Sequence, residues 1–237
     1  MMNDTKKYQI LDGTMLKMIA LVSMLVDHVG DMFFPEVMWM RMIGRLAMPL
    51  FSFCIAEGYA HTRNPKKYLM RMGIFALVSE IPFDLAFGGK IGLDHQNIMF
   101  TFLLSIIAIM LFDKILGEKN PQTDKYSIYR EVIAILSVAL ISILSLITKA
   151  DYTVFAVLGV FLFYVLRHKH HLVRCGIGVA FLAMTRTMGY YSATGFSIIP
   201  LALYNGKRGK GMKWLFYAFY PGHLLILYIL KRFLGVS

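Results

Sequence analysis

The stretch that decides the fold is SMLVDHVGDMFFPEVMWMRMIGRLAMPLFSFCIAE, residues 23–57. It contains two apolar segments of helical length, separated at Pro35 by a connection too short for anything but an antiparallel hairpin. Six ionisable side chains interrupt these segments: Asp27, His28, Asp31, Arg41, Arg45 and Glu57. A single Asp or Arg in mid-bilayer costs roughly 2.5 to 3.5 kcal/mol, so such groups persist where they face one another or water. The cluster therefore predicts a functional site between membrane helices.

The composition of the whole chain supports a membrane protein. Of the 237 residues, 57% are hydrophobic and only 16% are charged, and the mean hydropathy is +0.59. A soluble domain has about a quarter charged residues. We therefore predict an all-α, polytopic transmembrane helical bundle that forms one domain over residues 1–237. Nine spans are expected, with eight to ten possible, at about residues 14–34, 37–60, 68–88, 97–116, 130–148, 152–166, 172–190, 192–204 and 214–233.

The distribution of positive charge predicts the orientation. Most of the Lys and Arg residues that give the net charge of +11 lie in short loops between apolar segments. They do not form the continuous stripe expected of a nucleic-acid-binding protein. Under nine spans the basic loops fall on one side, together with Lys6 and Lys7. The positive-inside rule then places the N-terminus in the cytoplasm, although Lys231 and Arg232 fall outside this pattern.

His28 is the predicted catalytic base. Asp31 is three residues further on and shares its helix face, whereas Asp27 points elsewhere. A carboxylate beside an imidazole fixes the tautomer and makes a better base; a packing hydrogen bond to another span is the alternative. Arg41 and Arg45, four residues apart, form a cationic stripe that either neutralises these carboxylates or takes part in catalysis and binding.

Other polar groups within the apolar segments are candidates for lining a cavity. They are Glu80, Asn97, Arg186, Tyr220 and His223. For Glu80 and His223, helix packing is an equally good interpretation. RHKHH, residues 167–171, lacks the spacing of a zinc site, so no metal centre is predicted. The basic, glycine-rich loop GKRGKGMK, residues 206–213, fails the nucleotide-binding pattern but could bind the phosphates of a cofactor or anionic lipid.

Five motifs resemble the TraX family over nearly the whole chain. They are LKMIALVSMLVDHVGD (16–31), RMIGRLAMPLFSFCIAEGYAHTRNPKKYLMR (41–71), SEIPFDLAF (79–87), IIPLALYNGKRG (198–209) and FYAFYPGHLLILY (216–228). The resemblance implies a membrane-embedded acetyltransferase, the family's named role being N-terminal acetylation of pilin. It also implies a relation to membrane acyltransferases that use cytoplasmic acyl-CoA, with an intramembrane histidine as the catalytic residue; His28 is the matching position.

The resemblance thus implies acetyl transfer from acetyl-CoA to an acceptor at or beyond the outer leaflet of a bacterial cytoplasmic membrane. His28, Asp27, Asp31 and Arg45 are the predicted catalytic residues, and the predicted acetyl-CoA ligands are Arg41, Arg45, Lys207, Arg208 and Lys210. A pilin-like peptide and an envelope glycan or lipid hydroxyl are both possible acceptors, and transfer could be direct or through acetyl-histidine. A proton-coupled transporter or channel is the main alternative, and an assembly scaffold is a third; the oligomeric state is open.

Overall fold

The computed structural model describes residues 8–92, 94–117, 127–184 and 189–235. Within these ranges the chain is helical and contains no β-strand, so the predicted all-α class is confirmed. The α-helices are α1 Gly13–Phe33, α2 Met38–Gly44, α3 Ala47–Ala60, α4 Pro65–Phe83, α5 Ile98–Leu116, α6 Ser127–Ile147, α7 Thr153–Val165, α8 His171–Met184, α9 Ile198–Ala202 and α10 Lys213–Phe233. Where its residues are described, each predicted segment coincides with helical structure.

Fewer of these helices than predicted have the character of membrane spans. Among the described residues, Ile98–Leu116 and Ile128–Ile147 are the two helices long and apolar enough to cross a bilayer. Helices α1 and α4 have 21 and 19 residues, but charged side chains interrupt their apolar stretches. The eighth predicted span is mostly a 3-10 segment, Gly189–Ser197, followed by the five-residue α9. The structure thus supports a helical bundle with two spanning candidates.

The second predicted segment is broken into α2 and α3 rather than continuous. The break lies at Arg45 and Leu46, three to four residues before Pro49. Proline has no backbone N–H, and its ring clashes with the carbonyl group four residues earlier, here that of Arg45. Pro82, in contrast, lies inside α4 near its end, and the chain continues there into a π-helical turn, Asp84–Gly88.

The start of α1 is joined to the loop after α9. The Leu11 amide donates to the carbonyl of Leu203 at 2.9 Å, and the Gly13 amide donates to the carbonyl of Lys207 at 2.8 Å. Gly209 lies against the Asp12 carboxylate with φ of +74°, and a Cβ there would lie 2.4 Å from Asp12 Oδ1. The basic loop is therefore folded over the N-terminus of α1.

Candidate functional site

A large cavity follows α1 along most of its length. Its volume is about 1110 Å³, and α1 contributes lining residues from Gly13 to Asp31. At a rise of 1.5 Å per residue, these two positions are about 27 Å apart. The remaining wall comes mainly from α3, α4, α5 and α10. The cavity thus joins two ends of the bundle that differ in chemical character.

At the N-terminal end of α1 the cavity wall is rich in positive charge, and we call this end the basic mouth. Its cationic residues are Lys17, Arg63, Lys67, Arg71 and Arg208. Arg71 has a buried Nε atom without a hydrogen-bond partner. Helix α4 begins at the mouth, where the Asn64 side chain accepts a hydrogen bond from the Lys67 amide at 2.9 Å. Helix N-termini and cationic side chains together favour an anion.

Glu57 lies on the cavity wall but does not cancel the charge of the basic mouth. Its Oε1 atom is paired with Arg174, which is buried, and its Oε2 atom accepts a hydrogen bond from the Tyr204 hydroxyl at 3.4 Å. Because Arg174 already neutralises this carboxylate, the cations of the mouth remain available to a ligand.

Between its two ends the cavity is apolar. Among the residues that line it are Leu21, Met24, Met48, Phe51, Met72 and Phe102. Such a wall is suited to an uncharged, flexible chain, because burial of its methylene groups is favourable.

At the far end, which we call the polar end, α1 and α2 are joined by a network of ion pairs. Arg41 Nη1 lies 3.1 Å from Asp27 Oδ1 and 3.2 Å from Asp31 Oδ1. Arg45 Nη2 lies 3.4 Å from Asp27 Oδ1. Asp27 and Arg45 are largely buried, with 13% and 6% of their side chains exposed. The network holds two carboxylates and two guanidinium groups at one edge of the cavity.

Two glycines allow α1 and α2 to come this close. A Cβ on Gly44 would lie 2.2 Å from both Cβ and Oδ1 of Asp27, and a Cβ on Gly30 would lie 2.7 Å from Met40 Cβ. Distances below 3.0 Å are not tolerated without movement, so the ion pairs depend on the absence of a side chain at Gly44.

The turn before α7 adds a hydroxyl group to the network. Arg45 Nη1 donates to the Tyr152 hydroxyl at 3.3 Å. Tyr152 and Thr153 have φ of 60° and 46°, a left-handed conformation that costs non-glycine residues about 1 to 3 kcal/mol each and is concentrated at functional sites.

His28 lies beside this network and is hydrogen-bonded to a second histidine. His28 Nδ1 is 2.8 Å from His223 Nε2, and the two rings are nearly parallel. His223 is buried, and its Nδ1 is 2.8 Å from the carbonyl oxygen of Phe219. His28 lines the cavity, whereas His223 lies behind it. The site therefore contains an imidazole pair next to, but separate from, the ion-pair network.

The carboxylates predicted to support His28 have other partners. Asp31 shares a face with His28 as expected, but its Oδ1 atom pairs with Arg41. Asp27 pairs with both arginines. In the part of the chain described, the hydrogen-bond partner of the His28 ring is His223. The structure thus favours charge neutralisation between the aspartates and the arginines. For His28 it favours a hydrogen bond to another helix. The sequence left both possibilities open.

The other predicted site residues fall into different places. Tyr220 lines the cavity, and Arg208 lies at the basic mouth, but Lys207 and Lys210 are exposed outside the cavity wall. Glu80 Oε2 accepts a hydrogen bond from the Asn97 side-chain amide and another, at 3.2 Å, from the Asn97 backbone N–H. Neither residue lines the cavity. Arg186 lies outside the described residues. The predicted roles of these residues stay predictions.

Sequence reasoning missed the cations contributed by the loop before α4 and by α4 itself. Arg63, Lys67 and Arg71 belong to one motif, HTRNPKKYLMR, residues 61–71. In the sequence its cations counted only toward the short basic loops between apolar segments and toward the family motif at 41–71. Its signal was the run of cations around an N-cap asparagine followed by proline, which marks a helix N-terminus suited to anions.

His95 and Asp151 form an exposed pair at the rim of the polar end. His95 Nε2 lies 3.8 Å from Asp151 Oδ1, with 55% and 28% of the side chains exposed. The Asp151 carboxylate raises the pKa of His95 above its ordinary value, and partial burial of the ring opposes this effect. The pair links the loop before α5 to the turn before α7, since the Asp151 amide also donates to the Gln96 carbonyl at 3.0 Å.

This pair predicts a weak dependence of stability on pH. A raised pKa means that the fold favours protonated His95, so its stabilisation is complete below about pH 6.5 and is lost as the pH rises through the raised pKa. Exposed pairs contribute about 0.2 to 1 kcal/mol. We expect the unfolding midpoint to fall by about 1 to 3 °C between pH 6 and pH 8. Thermal unfolding of His95→Gln should lack this fall, and His168→Gln, which changes an exposed histidine elsewhere, should retain it; equal profiles for both variants would contradict the assignment.

Comparison with known proteins identifies the family. The profile of the TraX protein family matches residues 12–231. The chain belongs to the TraX family. The match begins at the residue that caps α1 and ends within α10, so it includes both the basic mouth and the polar end.

Curated relatives of this TraX-family chain extend the comparison. It is 26% identical to the probable fimbrial assembly protein FimC, serogroup H1, of Dichelobacter nodosus, over 92% of this chain and 95% of the relative. It is 40% identical over 60 residues to an uncharacterized protein of Rickettsia prowazekii, covering 25% of this chain and 23% of the relative. No solved structure matches.

Proposed function

We propose that this TraX-family protein is a membrane-embedded acetyltransferase that moves an acetyl group from acetyl-CoA to an acceptor at the polar end of the cavity. The observation that supports the proposal is the continuity of the cavity. It joins a cationic mouth, an apolar middle and a polar end that contains His28. The acyl donor has the same order of parts: a polyanionic nucleotide, a long uncharged arm and a terminal thioester.

The basic mouth is suited to the phosphate groups of acetyl-CoA. Five cationic side chains line it, and α4 begins beside them. Hydrogen bonds between cations and phosphate are roughly twice as strong as neutral ones. On this proposal Lys17, Arg63, Lys67, Arg71 and Arg208 take over most of the phosphate-binding role predicted for the 206–213 loop.

At the polar end the residues can divide the work of acyl transfer. His28 removes the proton from the acceptor N–H or O–H as the acceptor attacks the thioester carbonyl carbon. The carbonyl oxygen gains negative charge, which the guanidinium groups of Arg41 and Arg45 stabilise. The C–S bond then breaks, and the proton that His28 accepted passes to the CoA thiolate, which leaves as the thiol. Asp27 and Asp31 hold both arginines in position through the ion pairs.

The arrangement of the cavity supports a location for the protein, and the likeness to a relative supports one kind of acceptor. We infer a multi-pass protein of the bacterial cytoplasmic membrane, with the basic mouth and N-terminus facing cytoplasmic acetyl-CoA and the polar end facing outward. The likeness to a fimbrial assembly protein favours a pilin-like peptide as acceptor over an envelope hydroxyl.

A proton-coupled transporter is the second candidate. It is favoured by a cavity that runs along most of α1 and is lined near its far end by two carboxylates and by His28, which is hydrogen-bonded to His223. Such groups also form proton relays in transporters.

The deciding experiment is acetyl-CoA turnover by the purified protein in nanodiscs, measured as free CoA thiol, with a peptide amine or a sugar hydroxyl supplied as acceptor. We expect thiol release that depends on protein and acceptor, and calorimetric binding of acetyl-CoA without acceptor. Flux driven by a pH gradient in liposomes without acyl donor, combined with no acetyl-CoA binding, would support the transporter and contradict acetyl transfer.

Charge reversal at the basic mouth should weaken donor binding selectively. Lys67 lines the mouth, whereas the adjacent, equally exposed Lys66 does not. One charged hydrogen bond to phosphate contributes about 1.5 to 3 kcal/mol, so Lys67→Glu should raise the KM for acetyl-CoA about ten-fold or more. Lys66→Glu should stay within about two-fold of wild type, since an exposed charge outside the cavity wall is screened by water and salt. Equal KM values for the two variants would place the phosphates elsewhere.

A further inference from the structure

The hydrogen bonds behind His28 determine which of its ring nitrogens carries the proton. The Phe219 carbonyl oxygen can only accept, so His223 Nδ1, 2.8 Å away, must carry a proton. In the neutral imidazole one ring nitrogen donates and the other accepts. His223 Nε2 is therefore an acceptor, and the partner atom 2.8 Å from it, His28 Nδ1, must be the donor.

These two hydrogen bonds leave one ring nitrogen of His28 with a free lone pair. With the proton on Nδ1 donated to His223, the Nε2 atom of His28 is unprotonated. His28 lines the cavity, and its Nδ1 atom is occupied by His223. The atom available to a substrate is therefore an acceptor, as a general base requires.

Packing holds His223 in this position. The residue is 6% exposed, and the Phe219 ring stacks on it with a centroid distance of 5.0 Å. The Phe87 ring contacts the edge of His28 at 5.2 Å. Because aromatic rings surround the pair, neither imidazole can rotate without losing contacts, and the Phe219 carbonyl sets the direction of both hydrogen bonds.

We propose that His223 is a positioning residue that holds His28 as the Nδ1–H tautomer, with the basic Nε2 atom directed to the cavity. This role is the one that catalytic sites commonly give to a carboxylate. Here Asp27 and Asp31 form ion pairs with arginines. The backbone carbonyl of Phe219, acting through His223, orients the His28 ring in their place. The tautomer follows from geometry alone, while its catalytic consequence rests on the proposed acetyl transfer.

The tautomer can be measured without any assay of activity. Protein containing ¹⁵N-histidine, in nanodiscs at a pH where the pair is neutral, would be examined by NMR, with His28→Gln and His223→Gln assigning the signals. We expect His28 to show a protonated Nδ1 and an unprotonated Nε2. His223→Gln retains an acceptor oxygen near the position of Nε2 and should preserve this pattern, whereas His223→Phe removes the acceptor and should abolish it. Tyr228→Phe, which removes a hydrogen bond to Arg232 on the same helix, is the matched control.

Activity supplies a second readout. His223→Phe should lower kcat by about 10²-fold, near the lower end of the contribution of a general base, with the KM for acetyl-CoA within about two-fold. His223→Gln should recover kcat to within about ten-fold of wild type.

A protonated Nε2 in wild-type His28, or the wild-type tautomer of His28 in His223→Phe, would overturn the proposal. If His223→Phe does not fold, the His28 tautomers measured in wild type and in His223→Gln test the proposal. The expected tautomer without any thiol release would leave the positioning role standing and contradict acetyl transfer.

Discussion

His28→Ala is expected to lower kcat for acetyl transfer by about 10² to 10⁴-fold, the range that a positioned general base contributes. The cause is local, because the variant removes the cavity-facing imidazole and leaves the ion pairs of Asp27 with Arg41 and Arg45 in place. Lys17 at the basic mouth is about 17 Å away along α1 by helix rise. Acetyl-CoA binding should therefore stay within about two-fold of wild type.

The measurement is thiol release in nanodiscs together with calorimetric binding of acetyl-CoA. His168→Ala, which changes an exposed histidine outside the cavity wall, is the control and should keep full activity. A folded His28→Ala protein with undiminished transfer would show that another group accepts the proton. Equal losses of binding and turnover would indicate a structural defect instead.

Gly44→Ala is expected to have the largest effect on stability. The new methyl group would lie 2.2 Å from Asp27 Cβ, so α2 must move away from α1. Overpacking of this kind costs about 1 to 3 kcal/mol, and separation of Asp27 from its arginines adds to this because a buried charge loses its partner. For a chain of this length, each kcal/mol lowers the unfolding midpoint by about 2 to 4 °C. Turnover should fall as well, since Arg41 and Arg45 are displaced.

A glycine elsewhere in the bundle provides the matched control. Gly176 lies within α8, and nothing is within 4 Å of a Cβ placed on it. Gly176→Ala should leave the protein as stable as wild type or stabilise it by about 0.5 to 1 kcal/mol, because alanine is the better helix former. Thermal unfolding of both variants in nanodiscs decides the matter. If Gly44→Ala matched Gly176→Ala, the close approach of α1 and α2 would not be required.

Local sequence patterns were sufficient for the positions of the helices and for part of the site. Apolar runs bounded by polar loops predicted each segment, since the need to bury apolar side chains acts locally. The spacing of Asp27, Asp31, Arg41 and Arg45 across a tight hairpin also predicted their proximity. The break at Arg45 was missed because residues 37–60 were predicted as one continuous segment, although the missing N–H of Pro49 was visible in the sequence.

What the sequence by itself determined was an all-helical chain of TraX type with a charged cluster on its first helices. Only the tertiary structure decided which groups meet. His28 and His223 are 195 residues apart, and the basic mouth combines α1, α4 and the loop after α9. Asp31 satisfied the helical spacing rule as a partner for His28. The choice depended on the arginines, which bind the carboxylates more strongly than a neutral imidazole does, and on the packing of α10 against α1.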